Sequence, residues 1–276
     1  MASNSKRQKH SALLHEPASI EYKETQPSGL QKRIEHVEND ERKTRHQPVV
    51  SNALKLKLDH LKSFDPLTEN QAEFFKAYKG GDYFIGLFGS PGTGKTFIAL
   101  YQALGEVLDR SNPFKNIVVV RSAVQTRDQG FLPGSIEEKQ EIYEQPYKEI
   151  CATLFDRPDA WDRLKEQGYA RFITTTAIRG ISIDDAIIIV DECQSMTFHE
   201  LNTVMSRTGY RSKIIFSGDM KQNDLVKSRN DTSGLQEFIK IAKSMRDFTC
   251  VEFTVDDIVR SSLVKSWIMA CESFGY

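Results

Sequence analysis

Gly89-Ser90-Pro91-Gly92-Thr93-Gly94-Lys95-Thr96 decides the reading of this chain. It is a complete G-x-x-x-x-G-K-[ST] loop, a spacing that holds a polyphosphate against a helix N-terminus. The glycines let backbone N–H groups curl around a phosphate, Lys95 brings a cation to the β/γ oxygens, and Thr96 offers a hydroxyl to Mg²⁺. The flanks fit. Tyr83-Phe84-Ile85-Gly86-Leu87-Phe88 reads as a buried strand, and Phe97-Ile98-Ala99-Leu100-Tyr101-Gln102-Ala103-Leu104 as a helix.

Strand-like runs recur further along, at Asn116–Val120, Arg171–Thr175, Ala186–Val190, Lys213–Ser217 and Cys250–Thr254. Ile187-Ile188-Ile189-Val190 is apolar throughout, as in a parallel strand covered on both faces. These runs predict one α/β domain over 51–276, a RecA-like P-loop NTPase domain with a mostly parallel central sheet and helices on both faces. Helices are expected at Leu54–Leu61, from the capping-box-like Thr68-Glu69-Asn70-Gln71 to Tyr78, over Gln140–Leu164 with breaks near Pro146 and Pro158, and as an amphipathic segment over Asp256–Phe274. Residues 1–50 carry nine Lys/Arg, seven Asp/Glu and a single aromatic, Tyr22, so they predict a flexible charged tail.

Composition narrows the function classes. No apolar run approaches the roughly 20 residues of a membrane span, and no signal core opens the chain. Cys151, Cys193, Cys250 and Cys271 are scattered without a C-x-x-C pair, which predicts reduced thiols and a cytoplasmic setting. A net charge of −1 puts any nucleic-acid contact on a local patch. Arg207, Arg211 and Lys213 form one such cluster, with a solvated face as the plainer reading. Phe131, in Gly130-Phe131-Leu132-Pro133-Gly134, is a candidate for stacking on bases or for tucking a loop onto the core.

Two further loops complete a nucleotide site. Asp191 and Glu192 end the most apolar strand. There Asp191 can join a Mg²⁺ shell, and Glu192 can polarise the water that attacks a γ-phosphate. Ser217-Gly218-Asp219 ends the next strand and leads to Gln222, whose amide can meet the phosphate or the water.

Together these segments resemble the PhoH family, whose P-loop domain is similar to the first motor lobe of superfamily 1 helicases. The likeness rests on Gly89–Thr96, Arg121-Ser122-Ala123-Val124, Gly130–Gly134, Ile178-Arg179-Gly180, Asp191-Glu192-Cys193-Gln194, Ser206-Arg207-Thr208-Gly209, Ser217–Asp224 and Asp257-Ile258-Val259-Arg260. It implies binding and hydrolysis of ATP with Mg²⁺, and action on RNA or single-stranded nucleic acid. Gln71 resembles the helicase-type glutamine that reads the adenine edge. Cys193 and Ser195 depart from the family's usual alanine and asparagine. One lobe lacks the second lobe's arginine finger, so we expect a finger from a neighbouring copy in a homo-oligomeric ring, with Arg179, Arg207 and Arg260 as candidates. The alternatives are an ATP-gated, ring-forming assembly protein and a small-molecule kinase.

Overall fold

The computed structural model describes residues 55–122, 136–219 and 234–274, with 136–140 as backbone alone. Six strands form one sheet: β1 (Phe84–Gly89), β2 (Asn116–Arg121), β3 (Ala170–Thr174), β4 (Ala186–Val190), β5 (Lys213–Gly218) and β6 (Phe248–Phe253). Their order is β3-β2-β4-β5-β1-β6, and every pairing is parallel. The expected α/β architecture with a parallel sheet is therefore observed.

The period of two along each strand explains why both faces are covered. Ile187 and Ile189 join Ile85, Leu87, Ile117, Val119 and Ile215 in one buried cluster. Four helices complete that layer, with residues such as Phe74 from α1 (Glu69–Lys79), Leu100 from α2 (Lys95–Leu108), Tyr147 from α3 (Ile136–Phe155) and Trp161 from α4 (Ala160–Glu166). Ile188 and Val190 face the other way with Phe84, Val118, Val120, Ile214 and Phe216. Leu201 and Val204 of α5 (Phe198–Met205) and Leu235 and Phe238 of α6 (Gly234–Ala242) close that side.

Strand order sets the place of the site. From β1 the chain crosses to β2 on one side, and from β5 it crosses over β1 to β6 on the other. The carboxyl ends of β1 and β5 therefore flank a topological switch point, where open α/β sheets take their ligands. The loop after β4, β5's other neighbour, opens onto the same edge.

Several helix limits differ from expectation, each for a physical reason. Of the expected helix Leu54–Leu61, the described residues 55–61 yield only a 3₁₀ turn, Leu58–His60, and among them Leu56 alone is buried in the core. α3 runs through Pro146 without a break. The carbonyl that Pro146 leaves without its usual donor belongs to exposed Ile142, where solvent can serve it. The other expected break, near Pro158, is present: the chain leaves the helix at Asp156–Asp159, where Asp156 adopts a left-handed φ of 56°. The last helix, α7 (Ser262–Ser273), starts later than predicted because Ser261 caps it through Val264 N–H. It buries no residue and leaves Leu263, Trp267 and Phe274 exposed. The Thr68 cap of α1 holds as expected, but the Gln71 side chain takes Leu67 N–H rather than the cap residue's own.

Among the described residues no helix is long and apolar enough to cross a membrane. All four cysteines are free. The predicted tail lies outside the described residues.

Candidate nucleotide site

The phosphate loop is shaped by where its glycines sit. Gly89 has φ 131°, and a Cβ there would lie 1.9 Å from the Phe253 carbonyl oxygen of β6. Ser90 N–H donates to that same oxygen at 3.0 Å, so the loop is pinned to β6 as it leaves β1. Gly92 and Gly94, at φ 73° and 80°, turn the chain into α2. Gly94 is the N-cap and has no side chain to spend on the helix's first N–H groups, and no acidic residue stands in that first turn. The positive end of α2 is thus left for an anion. Pro91 sits between the pinned residue and the first of these turns. We expect Gly89→Ala to cost on the order of 3 kcal/mol, from backbone strain and displacement of β6. A lowered urea midpoint would report it, and an unchanged midpoint would contradict this account of the loop.

Lys95 is almost fully buried. Its Nζ donates to Ser90 O at 2.7 Å, Gly89 O at 3.1 Å and Thr93 Oγ1 at 3.3 Å. Thr93 Oγ1 in turn donates to Ser90 O, which closes the loop on itself. Burial lowers the Lys95 pKa below its usual value, and the carboxylates of Asp219, Glu192 and Asp191 oppose that shift. Asp219 is the foremost of the three, a contributor the sequence reading did not single out.

The loop after β4 meets this one directly. Thr96 Oγ1 donates to Asp191 Oδ1 at 2.8 Å across 95 residues of chain. The other carboxylate oxygen, Oδ2, accepts from Tyr147 Oη at 2.8 Å. Burial, with Asp191 adding to it, holds the Tyr147 pKa well above the usual phenol value, so the hydroxyl remains a donor.

Glu192 adopts a left-handed φ of 52°, a strained conformation for a residue with a Cβ. Its carbonyl accepts from Ser195 N–H at 3.0 Å and Ser195 Oγ at 2.7 Å, which hold the turn. Its carboxylate accepts from Gln194 Nε2 at 2.6 Å, and Gln194 Oε1 accepts from Asp219 N–H at 3.1 Å. One amide therefore bridges the loops after β4 and β5. Burial, then the neighbouring Asp191 charge, raises the Glu192 pKa, with Arg121, Gln194 and Lys95 working against the shift. The two departures from the family pattern acquire structural uses here. Ser195 closes the turn, and Cys193 packs where a Cβ on Gly218 would come within 2.5 Å of its Sγ.

Gln71 is buried, and its Nε2 donates to the Thr93 carbonyl at 2.9 Å, tying α1 to the phosphate loop. Arg260 leans against the same loop, its Cγ 3.0 Å from where a Gly92 Cβ would stand. α7 also rests there: Ser90 Oγ donates to Glu272 Oε1 at 2.9 Å. Arg179 is exposed in the β3–β4 connection, and Arg207 follows α5 with its Nε buried and without a hydrogen-bond partner among the described residues. Gln222 and Phe131 lie outside the described residues. The supposed basic cluster does not exist as a free patch. Lys213 is buried, 3.5 Å from the centre of the Tyr78 ring and 3.4 Å from Glu106, and Arg211 is paired with Asp185.

Oxygen donors dominate where Thr96 and Asp191 meet, and these suit a hard cation. No group of three or more His, Cys, Asp or Glu gathers as a metal cluster among the described residues. Mg²⁺ needs none, since it binds through one or two carboxylates together with substrate phosphates.

The family profile described as PhoH-like protein matches residues 63–272. The chain belongs to the PhoH-like family. A PhoH-like protein of Bacillus subtilis (strain 168) is 33% identical over 210 residues, which are 76% of this chain and 64% of that protein. A PhoH-like protein of Synechocystis is 31% identical over 74% of this chain and 61% of its own length. Protein PhoH2 of Bacillus subtilis is 40% identical over a shorter stretch, 51% of this chain and 32% of that protein. The chain therefore spans less than two thirds of these PhoH-like relatives. Among solved structures, the large terminase of a thermophilic bacteriophage in complex with ADP is similar at a TM-score of 0.43 and 14% identity, covering 73% of this chain and 49% of that one.

Proposed function

We propose that this chain is a Mg²⁺-dependent ATPase that acts on RNA or single-stranded nucleic acid in a helicase-like manner. The Thr96–Asp191 hydrogen bond carries the reading, because it joins the phosphate loop to the carboxylate pair at one sheet edge. Lys95 and the α2 N-terminus bind the phosphates, and Thr96 and Asp191 hold Mg²⁺, which supplies charge neutralisation to the triphosphate. Glu192 takes the proton of the attacking water, aided by a pKa raised toward working pH. Gln222 orders the phosphate or the water. Gln71 favours ATP by turning its amide, bonded here to Thr93 O and Leu67 N–H, to the adenine edge.

The nucleic-acid partner rests on what the resemblance to the PhoH family implies. The uncovered Leu263 and Trp267 on α7 and Phe274 at its C-cap support a homo-oligomeric ring, with exposed Arg179 available to a neighbour and Arg260 held against its own loop. An ATPase assay with and without single-stranded RNA, run beside a mass measurement in ATP and Mg²⁺, tests this. We expect severalfold stimulation and an oligomer. Turnover without stimulation would favour the ATP-gated assembly reading, and full turnover by a strict monomer would refute a finger supplied in trans.

A further inference from the structure

We propose that Tyr147 is a positioning residue for the metal site, acting through Asp191; this rests on the Mg²⁺–nucleotide reading above. An aspartate's terminal torsion is broad and roughly two-fold, so a lone carboxylate at a loop does not hold one orientation. Asp191 is gripped at both oxygens, by Thr96 at Oδ1 and by Tyr147 at Oδ2, each at 2.8 Å. The two grips differ in kind. Thr96 belongs to the phosphate loop and its hydroxyl is itself a metal-ligand candidate, so it can exchange partners. Tyr147 comes from α3, away from the loop, and its ring is fully buried between Trp161 and Phe172, with ring centres 5.7 and 5.9 Å away.

That platform is cross-braced. Buried Glu144, on the preceding turn of α3, accepts from Trp161 Nε1 and from Lys165 Nζ, both on α4 and both at 2.5 Å. The phenol therefore has little freedom to follow Asp191. Instead it fixes one carboxylate oxygen and leaves the remaining lone pairs of the other turned toward Thr96. The plainer alternative is a buried hydroxyl that merely takes the nearest acceptor to satisfy itself. The two differ in what happens when the hydroxyl alone is removed. A satisfied core hydroxyl affects stability, while an orienting one changes how strongly nucleotide affinity depends on the metal.

The test is calorimetric titration of ADP into the full chain and into Tyr147→Phe, in EDTA and across a series of Mg²⁺ concentrations. In EDTA the two proteins should bind ADP within about twofold of each other. The Mg²⁺ concentration giving half of the affinity gain should rise about tenfold in Tyr147→Phe. In an Asp191→Asn background the same substitution should add nothing further. Unchanged Mg²⁺ dependence, an equal loss in EDTA and in Mg²⁺, or a Tyr147→Phe protein without a cooperative unfolding transition would each overturn the proposal. A parent protein whose ADP affinity ignores Mg²⁺ would instead refute the underlying site, and that result is visible before any variant is made.

Discussion

Glu192→Gln should bind ATP as the parent does and hydrolyse it about 10²- to 10⁴-fold more slowly, the range of a lost general base. The same substitution should raise the melting temperature. Burial and the adjacent Asp191 raise the Glu192 pKa in the folded state. The native protein then holds that proton more tightly than the unfolded chain, so stability falls as pH rises from the unfolded value through the folded one. Above the raised folded pKa the full penalty is present, and a neutral glutamine removes it. A gain in stability with a loss of turnover is the mark of a strained functional residue. The parent's turnover should also fall as pH drops through this raised pKa, giving an acid limb above the ordinary carboxylate range. Binding and single-turnover assays, thermal melts and a pH–rate profile check these results. Parent-like hydrolysis by Glu192→Gln would remove its assigned role.

Lys95→Met should abolish tight nucleotide binding while keeping the aliphatic stem that fills the loop. Truncating one partner of a buried charge-assisted contact costs about 2–5 kcal/mol, or roughly 30- to 4,000-fold in Kd. The loss should exceed what the missing positive charge would give in solvent, because Lys95 is enclosed by its own loop and faces three carboxylates. Asp219, Glu192 and Asp191 would then repel an incoming triphosphate without compensation. Calorimetry with ATP measures the effect, and an affinity within threefold of the parent would contradict this placement of the phosphates.

What could be read from the residues beforehand follows the range of the forces involved. The phosphate loop is local: three glycines at positive φ, a lysine and a threonine within eight positions define its geometry. The β4 run is equally local, since four β-branched residues suit only a strand covered on both sides. Partners distant in sequence were not legible. Tyr147 lies 44 residues from Asp191, and nothing in its surroundings along the chain marks it as a donor to that carboxylate. Gln194 stood in a recognised motif, yet its bridge to Asp219 depends on β4 and β5 being neighbours. Lys213 looked like part of a basic surface because charge is read without burial, whereas Tyr78 and Glu106 enclose it. Pro146 looked like a break because its neighbourhood in space, which lets the helix continue, is not written in the local sequence.

The central claim is that the loops after β1 and β4 form one metal–nucleotide site. Crystals grown with Mn²⁺ and a non-hydrolysable ATP analogue test it by anomalous scattering. The account predicts a single strong manganese peak beside Thr96 Oγ1 and Asp191, with the triphosphate at the α2 N-terminus and Lys95 on its β/γ oxygens. A peak away from Asp191, or a triphosphate bound elsewhere on the sheet, would contradict it.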